Sequence, residues 1–246
     1  ARRSGRNGRR SAPATPMPVL RRVLRGRTEL SPARALVLSF LFLIVVGTAA
    51  LMLPGSALPG RRTGLVDALF TATSAVCVTG LSTLDTQFHF SRQGQAIILA
   101  LIQLGGLGIV LFSSSLLLVF GGRLGLRGRL LVQEHLPGLS LAGVGRLTRL
   151  VLVYIFSFEA LGALLLWLVW APRFGIWEGL FHAVFHSVSA LCNAGFSTWS
   201  TNLVAFRDDP VVNLVVMGLI VAGGLGYLAA SELHGRYWAR DRRQRL

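Results

Sequence analysis

At 246 residues the chain is long enough for one or two soluble domains, yet 52% hydrophobic residues and a mean hydropathy of +0.60 leave too little polar surface for a water-soluble particle. The formal charge of +15 is carried by arginine alone: ten lie in residues 1–34, five in 121–149 and five in 236–246. The positive-inside rule accounts for that distribution with both termini and the middle loop cytoplasmic, which leaves no call for a nucleic-acid partner. Cys77 and Cys192 lack the number and spacing for a disulfide framework or a zinc site, so redox and metal chemistry are set aside.

Residues 1–32 are arginine-rich with Pro, Ser and Gly and lack the cleavage site of a secretory signal, so they read as a cytoplasmic lead-in. Residues 33–53 are apolar and long enough to cross a bilayer, with Pro54 and Gly55 as the stop. Residues 65–83 are too short to span and read as re-entrant. A second span covers 93–120, with a bend expected at Gly105, Gly106 and Gly108. A basic linker follows at 121–149, then a third span at 150–171 that Pro172 should end. Another short segment occupies 177–198, a fourth span 211–230, and a truncated basic tail 234–246.

The order is a repeat. Ser74, Ala75, Cys77, Gly80, Ser82 and Thr83 match Ser189, Ala190, Cys192, Gly195, Ser197 and Thr198 at a constant offset of 115. Pro54 pairs with Pro172, and Gly105-Gly106-Leu107-Gly108 with Gly223-Gly224-Leu225-Gly226, at an offset of 118. The units are therefore 33–120 and 150–233, each with two crossings and one re-entrant segment, so they run parallel about an axis along the membrane normal. The expected fold is an all-α integral membrane protein of two tandem helix, pore loop, helix repeats, the architecture of voltage-gated-like channel pores.

Irregular backbone at membrane depth needs protein or water around it, so segments ending in VCVTG and LCNAG are expected to line an aqueous path. Main-chain carbonyls beyond a short helix can replace a potassium ion's hydration shell, given a glycine that permits the required backbone. The expected filter is Val76, Cys77, Val78, Thr79 and Gly80 with Leu191, Cys192, Asn193, Ala194 and Gly195, acting through main-chain oxygens while their side chains mainly pack behind. No carboxylate lies in either stretch, which favours monovalent cations.

The strings FTATSAVCVTGLST and FHSVSALCNAGFST, followed by QLGGLGI and AGGLGY, resemble the first two repeats of the Trk/Ktr/HKT superfamily of potassium-uptake proteins over residues 33–235. That resemblance implies four such units around one pore, a membrane subunit that dimerises, and a cytoplasmic nucleotide-binding ring that regulates it. Two units make half of a pseudo-fourfold pore, so the chain is expected to be a fragment, or a half that pairs with another chain.

Several residues carry a second reading. Gly105, Gly106, Gly223 and Gly224 are hinge candidates or close-packing positions. Glu159 lies inside a span and should find a partner or water. His182 and His186 stand at metal spacing without the accompanying HExxH, and helix packing is favoured. Asp67 is a candidate N-cap, Asp208 and Asp209 a solvated or cation-concentrating pair, and Asp85 and Asn193 candidates for tuning ion entry. The arginine-rich termini suit anionic lipid.

The function expected from these readings is potassium uptake across the cell inner membrane. Potassium is the transported ion with sodium dependence open, and there is no covalent cofactor and no enzyme activity. A non-conducting partner of a complete transporter, or an intramembrane enzyme built on Glu159 with His182 or His186, are the rivals.

Overall fold

The computed structural model describes residues 32–121 and 141–225, with side chains over 36–109 and 148–225. The basic segments read as 1–32 and 234–246, and most of the linker, lie outside the described residues. Six helices follow in order: α1 (Pro32–Leu51), α2 (Leu65–Val76), α3 (Arg92–Gly121), α4 (Leu141–Phe174), α5 (Ile176–Leu191) and α6 (Pro210–Leu225). Short 3-10 turns at Pro54–Ser56 and Val204–Phe206 sit between them, and among the described residues the only extended pairing is an isolated bridge from Ala57 to Phe90. The all-helical fold expected from the composition is present.

Two boundaries differ from the sequence reading. α4 begins at Leu141, inside the stretch taken as linker, and it runs through Pro172 to Phe174. Proline forfeits one helical N–H wherever it stands, but here the loss falls in the last turn. The Gly175 N–H still donates to Ala171 O at 2.9 Å, and Gly175 itself, at φ +89°, turns the chain out. Likewise α3 is one continuous helix through Gly105, Gly106 and Gly108.

The repetition extends further than the sequence motif. A Cβ at Gly47 would fall 2.6 Å from Leu101 Cδ1 and 3.3 Å from Ala72 Cβ; at Gly162 it would fall 2.6 Å from Leu219 Cδ1 and 2.6 Å from Ser187 Oγ. The glycines stand 115 apart, as do Ala72 and Ser187, while Leu101 and Leu219 stand 118 apart. The first long helix of each unit thus meets the same two places on its unit through a glycine, because only a residue without a side chain allows so close an approach.

Within Leu36–Leu246, one compact unit, the main core draws on both repeats: Ala72, Val76, Ile98 and Ile102 from the first, Phe185, Val188 and Phe196 from the second. A second cluster gathers Leu166, Trp170, Ala183, Phe206 and Val212. Outside these cores large apolar side chains face outward, among them Val37, Leu41, Phe42, Val45, Leu161, Leu164, Leu168, Leu214 and Met217. Exposed apolar faces of that extent call for a non-aqueous surrounding. One described helix segment, Thr148–Phe174, is long and apolar enough to cross a membrane, and Leu36–Leu51, Leu65–Val76 and Pro210–Leu225 are shorter apolar helices.

Candidate functional site

Helices α2 and α5 end alike. Cys77 leaves α2 at φ −85°, ψ 1°, and Cys192 leaves α5 at φ −73°, ψ −7°. Beyond them φ is positive at Val78 (+56°) and Gly80 (+75°) in one unit and at Asn193 (+58°) and Gly195 (+71°) in the other, the residue between lying outside that region. Glycine takes this conformation freely, but a β-branched valine does so at a cost of about 1–3 kcal/mol. The surroundings must therefore hold Val78 there.

What holds it is a set of three backbone bonds. The N–H groups of Cys77, Val78 and Thr79 donate to Thr73, Ala75 and Ser74 at 2.8, 3.3 and 2.9 Å. Those of Cys192, Asn193 and Ala194 donate to Val188, Ala190 and Ser189 at 2.9, 3.0 and 2.7 Å. These six donors are consumed by the preceding helices. No hydrogen bond from a described residue reaches the main-chain oxygens of Cys77, Val78, Thr79, Cys192, Asn193 or Ala194. Strips of unpaired acceptors remain, suited to a cation that gives up its own water.

The two strips are neighbours. A Cβ on Gly80 would fall 2.6 Å from Ala194 O and 3.2 Å from Gly195 Cα, so the glycines meet where the segments approach. The sequence reading has their side chains mainly packed behind; Val76, Leu191 and Ala194 are buried and Val78 and Cys192 half-buried, whereas Cys77, Thr79 and Asn193 are exposed. Valine and leucine at the helix end supply the packing, and the alternation in φ turns their polar neighbours outward.

The four inner-helix glycines divide. A Cβ on Gly105 would strike Val76 O, and one on Gly223 would strike Leu191 O, so each inner helix rests on the end of its own short helix. A Cβ on Gly106 would fall 2.7 Å from Cys192 Sγ, across the seam between units, while Gly224 has no neighbour within 4 Å. Close approach accounts for the first three.

The seam is also stitched by an ion pair between Arg92 and Glu178, with the Arg92 guanidinium 4.4 Å above the Phe181 ring. The Ser200 N–H donates to Gln87 Oε1 at 2.9 Å across the same seam. Asp67 is not an N-cap: Gly64 holds that position without a side-chain bond, and Asp67 instead accepts from Thr83 Oγ1 at 2.8 Å. Asp209 is the cap that the sequence reading missed. Its Oδ1 accepts from the N–H groups of Val211 and Val212 at 3.1 and 3.3 Å, ahead of Pro210 at the start of α6, and its Oδ2 pairs with Arg173 at 3.2 Å. Asp85 Oδ1 likewise accepts from the N–H groups of Gln87 and Phe88, closing a local turn.

The histidines are engaged in protein contacts. His182 Nδ1 and Thr198 Oγ1 are hydrogen-bonded at 2.6 Å, His186 Nδ1 donates to His182 O at 2.8 Å, and His186 Nε2 is bonded to Ser197 Oγ at 2.9 Å. The His186 ring stacks on Trp199 at 4.5 Å, and Trp170 meets both edge-on. This aromatic cluster could have been suspected only from Trp170 and Trp199 having no counterparts in the first unit. Glu159 is 6% exposed and lines a cavity of about 440 Å³ with Gln103, Phe156, Ala163 and Val184; its Oε1 has no partner among the described residues.

The family described as a cation transport protein, TrkH, matches residues 31–235. The Ktr system potassium uptake protein B of Bacillus subtilis is 41% identical over 197 residues, 80% of this chain and 44% of that protein. Its namesake from Vibrio alginolyticus is 37% identical over 216 residues, covering 88% and 47% of the two chains. The potassium/sodium uptake protein NtpJ of Enterococcus hirae is 37% identical over 209 residues, covering 85% and 46%. The chain spans about half the length of the curated relatives it matches.

Proposed function

Because this chain belongs to the TrkH family of cation transport proteins, we propose that it carries potassium across the cell membrane as one part of an uptake system. In this reading α2 and α5 are pore helices, and α1, α3, α4 and α6 are the outer and inner helices of two tandem pore-loop units, half of a pseudo-fourfold ring. The ion is bound by main-chain oxygens of Val76, Cys77, Val78, Thr79 and Gly80 and of Leu191, Cys192, Asn193, Ala194 and Gly195. One observation carries the reading: the same alternation of φ in both units, with the three N–H groups that follow each helix tied back to it and the oxygens of Cys77, Val78, Thr79, Cys192, Asn193 and Ala194 unbonded among the described residues.

Unpaired oxygens of this kind would be costly in hydrocarbon unless an ion or water met them. A row of them exchanges for a monovalent cation's hydration shell. The relatives named for potassium and for potassium/sodium uptake support potassium as the ion and leave sodium as a second or coupled one. The arginine-rich segments favour cytoplasmic termini, and the resemblance adds a cytoplasmic nucleotide-binding regulatory subunit and either a second copy or two further units as partners.

The test is potassium uptake by the complete assembly containing this chain, expressed in a potassium-requiring bacterial strain. Gly80→Val and Gly195→Val, which hold φ near +70° only at a cost of about 1–3 kcal/mol each and put a side chain where the strips approach, should abolish uptake with the protein still in the membrane. Unchanged uptake and selectivity in both variants would overturn the assignment.

A further inference from the structure

Past each glycine the chain returns along its pore helix, through residues 81–83 in the first unit and 196–198 in the second. In the first unit Thr83 Oγ1 donates to Asp67 Oδ1 at 2.8 Å; in the second Thr198 Oγ1 is bonded to His182 Nδ1 at 2.6 Å. Thr83 and Thr198 stand 115 residues apart, and so do Asp67 and His182. The same strut therefore joins the same two points, built from a carboxylate in one unit and an imidazole in the other.

The units differ in what accompanies it. The second arm has two more bonds to its helix, from Ser197 Oγ to His186 Nε2 at 2.9 Å and from Ser189 Oγ to Phe196 O at 2.6 Å. Ser197 and Thr198 are buried there, beneath the Trp199 cluster. In the first unit Thr71 occupies the place of His186, too short to reach the arm, and its hydroxyl is buried without a partner. Ser82, the counterpart of Ser197, turns to Leu84 O, and Ser74, the counterpart of Ser189, accepts from Thr79 Oγ1 at 2.8 Å. Thr83 to Asp67 is the one side-chain bond from the first arm to its helix among the described residues.

We propose that the Thr83–Asp67 and Thr198–His182 hydrogen bonds are equivalent positioning struts that set the spacing of the oxygens at Gly80 and Gly195, and that Thr83 and Asp67 govern ion selectivity most strongly. The inference rests on the reading of these segments as a filter. A filter that discriminates between ions by the separation of its oxygens depends on what fixes them. The first arm has a single side-chain bond to its helix where the second has three, and in the second unit Asn202 Nδ2 also donates to Gly195 O at 3.4 Å. Neither residue touches the ion; each acts through the backbone.

The experiment measures potassium uptake and its competition by sodium in the complete assembly. Thr83→Val should keep potassium uptake but lower the potassium-over-sodium ratio by about tenfold, the scale of one lost charge-assisted hydrogen bond. Thr83→Ser, which retains the hydroxyl, should restore the ratio, and Ser197→Ala, which leaves its arm two bonds, should lower it less. An unchanged ratio in Thr83→Val at equal uptake overturns the inference. If Thr83→Val abolishes uptake, Asp67→Leu, which removes the acceptor, decides in its place, and an unchanged ratio there overturns the inference equally. Uptake that survives Gly80→Val and Gly195→Val would instead overturn the filter reading on which the struts depend.

Discussion

His89 shows how a single residue couples the outer loops to pH. Its Nε2 is bonded to Thr63 Oγ1 at 3.0 Å, and the ring is buried, edge-on to Phe90. Burial, with the Arg61 guanidinium adding to it and Asp67 opposing, holds the imidazole below its ordinary value of 6.5. The neutral ring is thus favoured in the folded protein. An unfolded chain takes up a proton at a higher pH than the folded one does, so this contribution is complete above 6.5 and is lost as pH falls below it. Thermal unfolding of the purified protein at pH 7.5 and 5.5 should show lower stability at the acid pH. His89→Gln should remove part of that difference, and an identical slope in the variant would exclude His89 as a source.

At the scale of helices, glycines adjacent in sequence have different duties. Gly223 lies on the end of α5 and Gly224 lies open, although both belong to one run in α6. Gly223→Ala should lower the unfolding temperature by several degrees, as overpacking costs about 1–3 kcal/mol. Gly224→Ala should leave stability unchanged or raise it, since alanine favours the helix by about 1 kcal/mol. Equal effects in thermal unfolding would show that these glycines serve mobility and not contact. The repeated motif was legible in sequence because identical local backbones need identical small residues at 115-residue spacing. Gly47 and Gly162 obey that spacing too, yet no shared motif flanks them in the sequence, since the leucines they face are specified only by size. Pro172 misled for the opposite reason: its effect depends on distance from the helix end, which Gly175 decides. Asp209 was readable as a cap from the Asp-Pro pair, but the neighbouring Asp208 made the two look like a surface cluster.

For the molecule as a whole, the joint between units rests on burial more than on charge. Phe185 is fully buried in the core that both units share, whereas the Arg92 and Glu178 side chains are 46% and 55% exposed. Phe185→Ala should cost about 3–5 kcal/mol. Arg92→Ala, at a solvent-facing pair, should cost no more than about 1 kcal/mol. Chemical unfolding of the two variants checks the order, and a larger loss from Arg92→Ala would place the strength of the joint at its outer rim. The sequence announced two units but not this shared core, because its members are unremarkable apolar residues whose meeting is decided only in three dimensions.

The contact between Gly106 and Cys192 has a direction. It joins a groove on the earlier unit to a thiol on the later one. The matching groove on the later unit, at Gly224, has no described atom within 4 Å, and the matching thiol on the earlier unit, Cys77, is exposed. The pair is thus polar in the sense that a brick with one tongue and one socket is polar: like units joined by this contact follow head to tail, always with the same hand. Head-to-tail joints of one hand close into a ring where the rotation between units permits it and otherwise run on as an open filament, so one sulfur atom against one bare backbone gives the two units distinct leading and trailing faces.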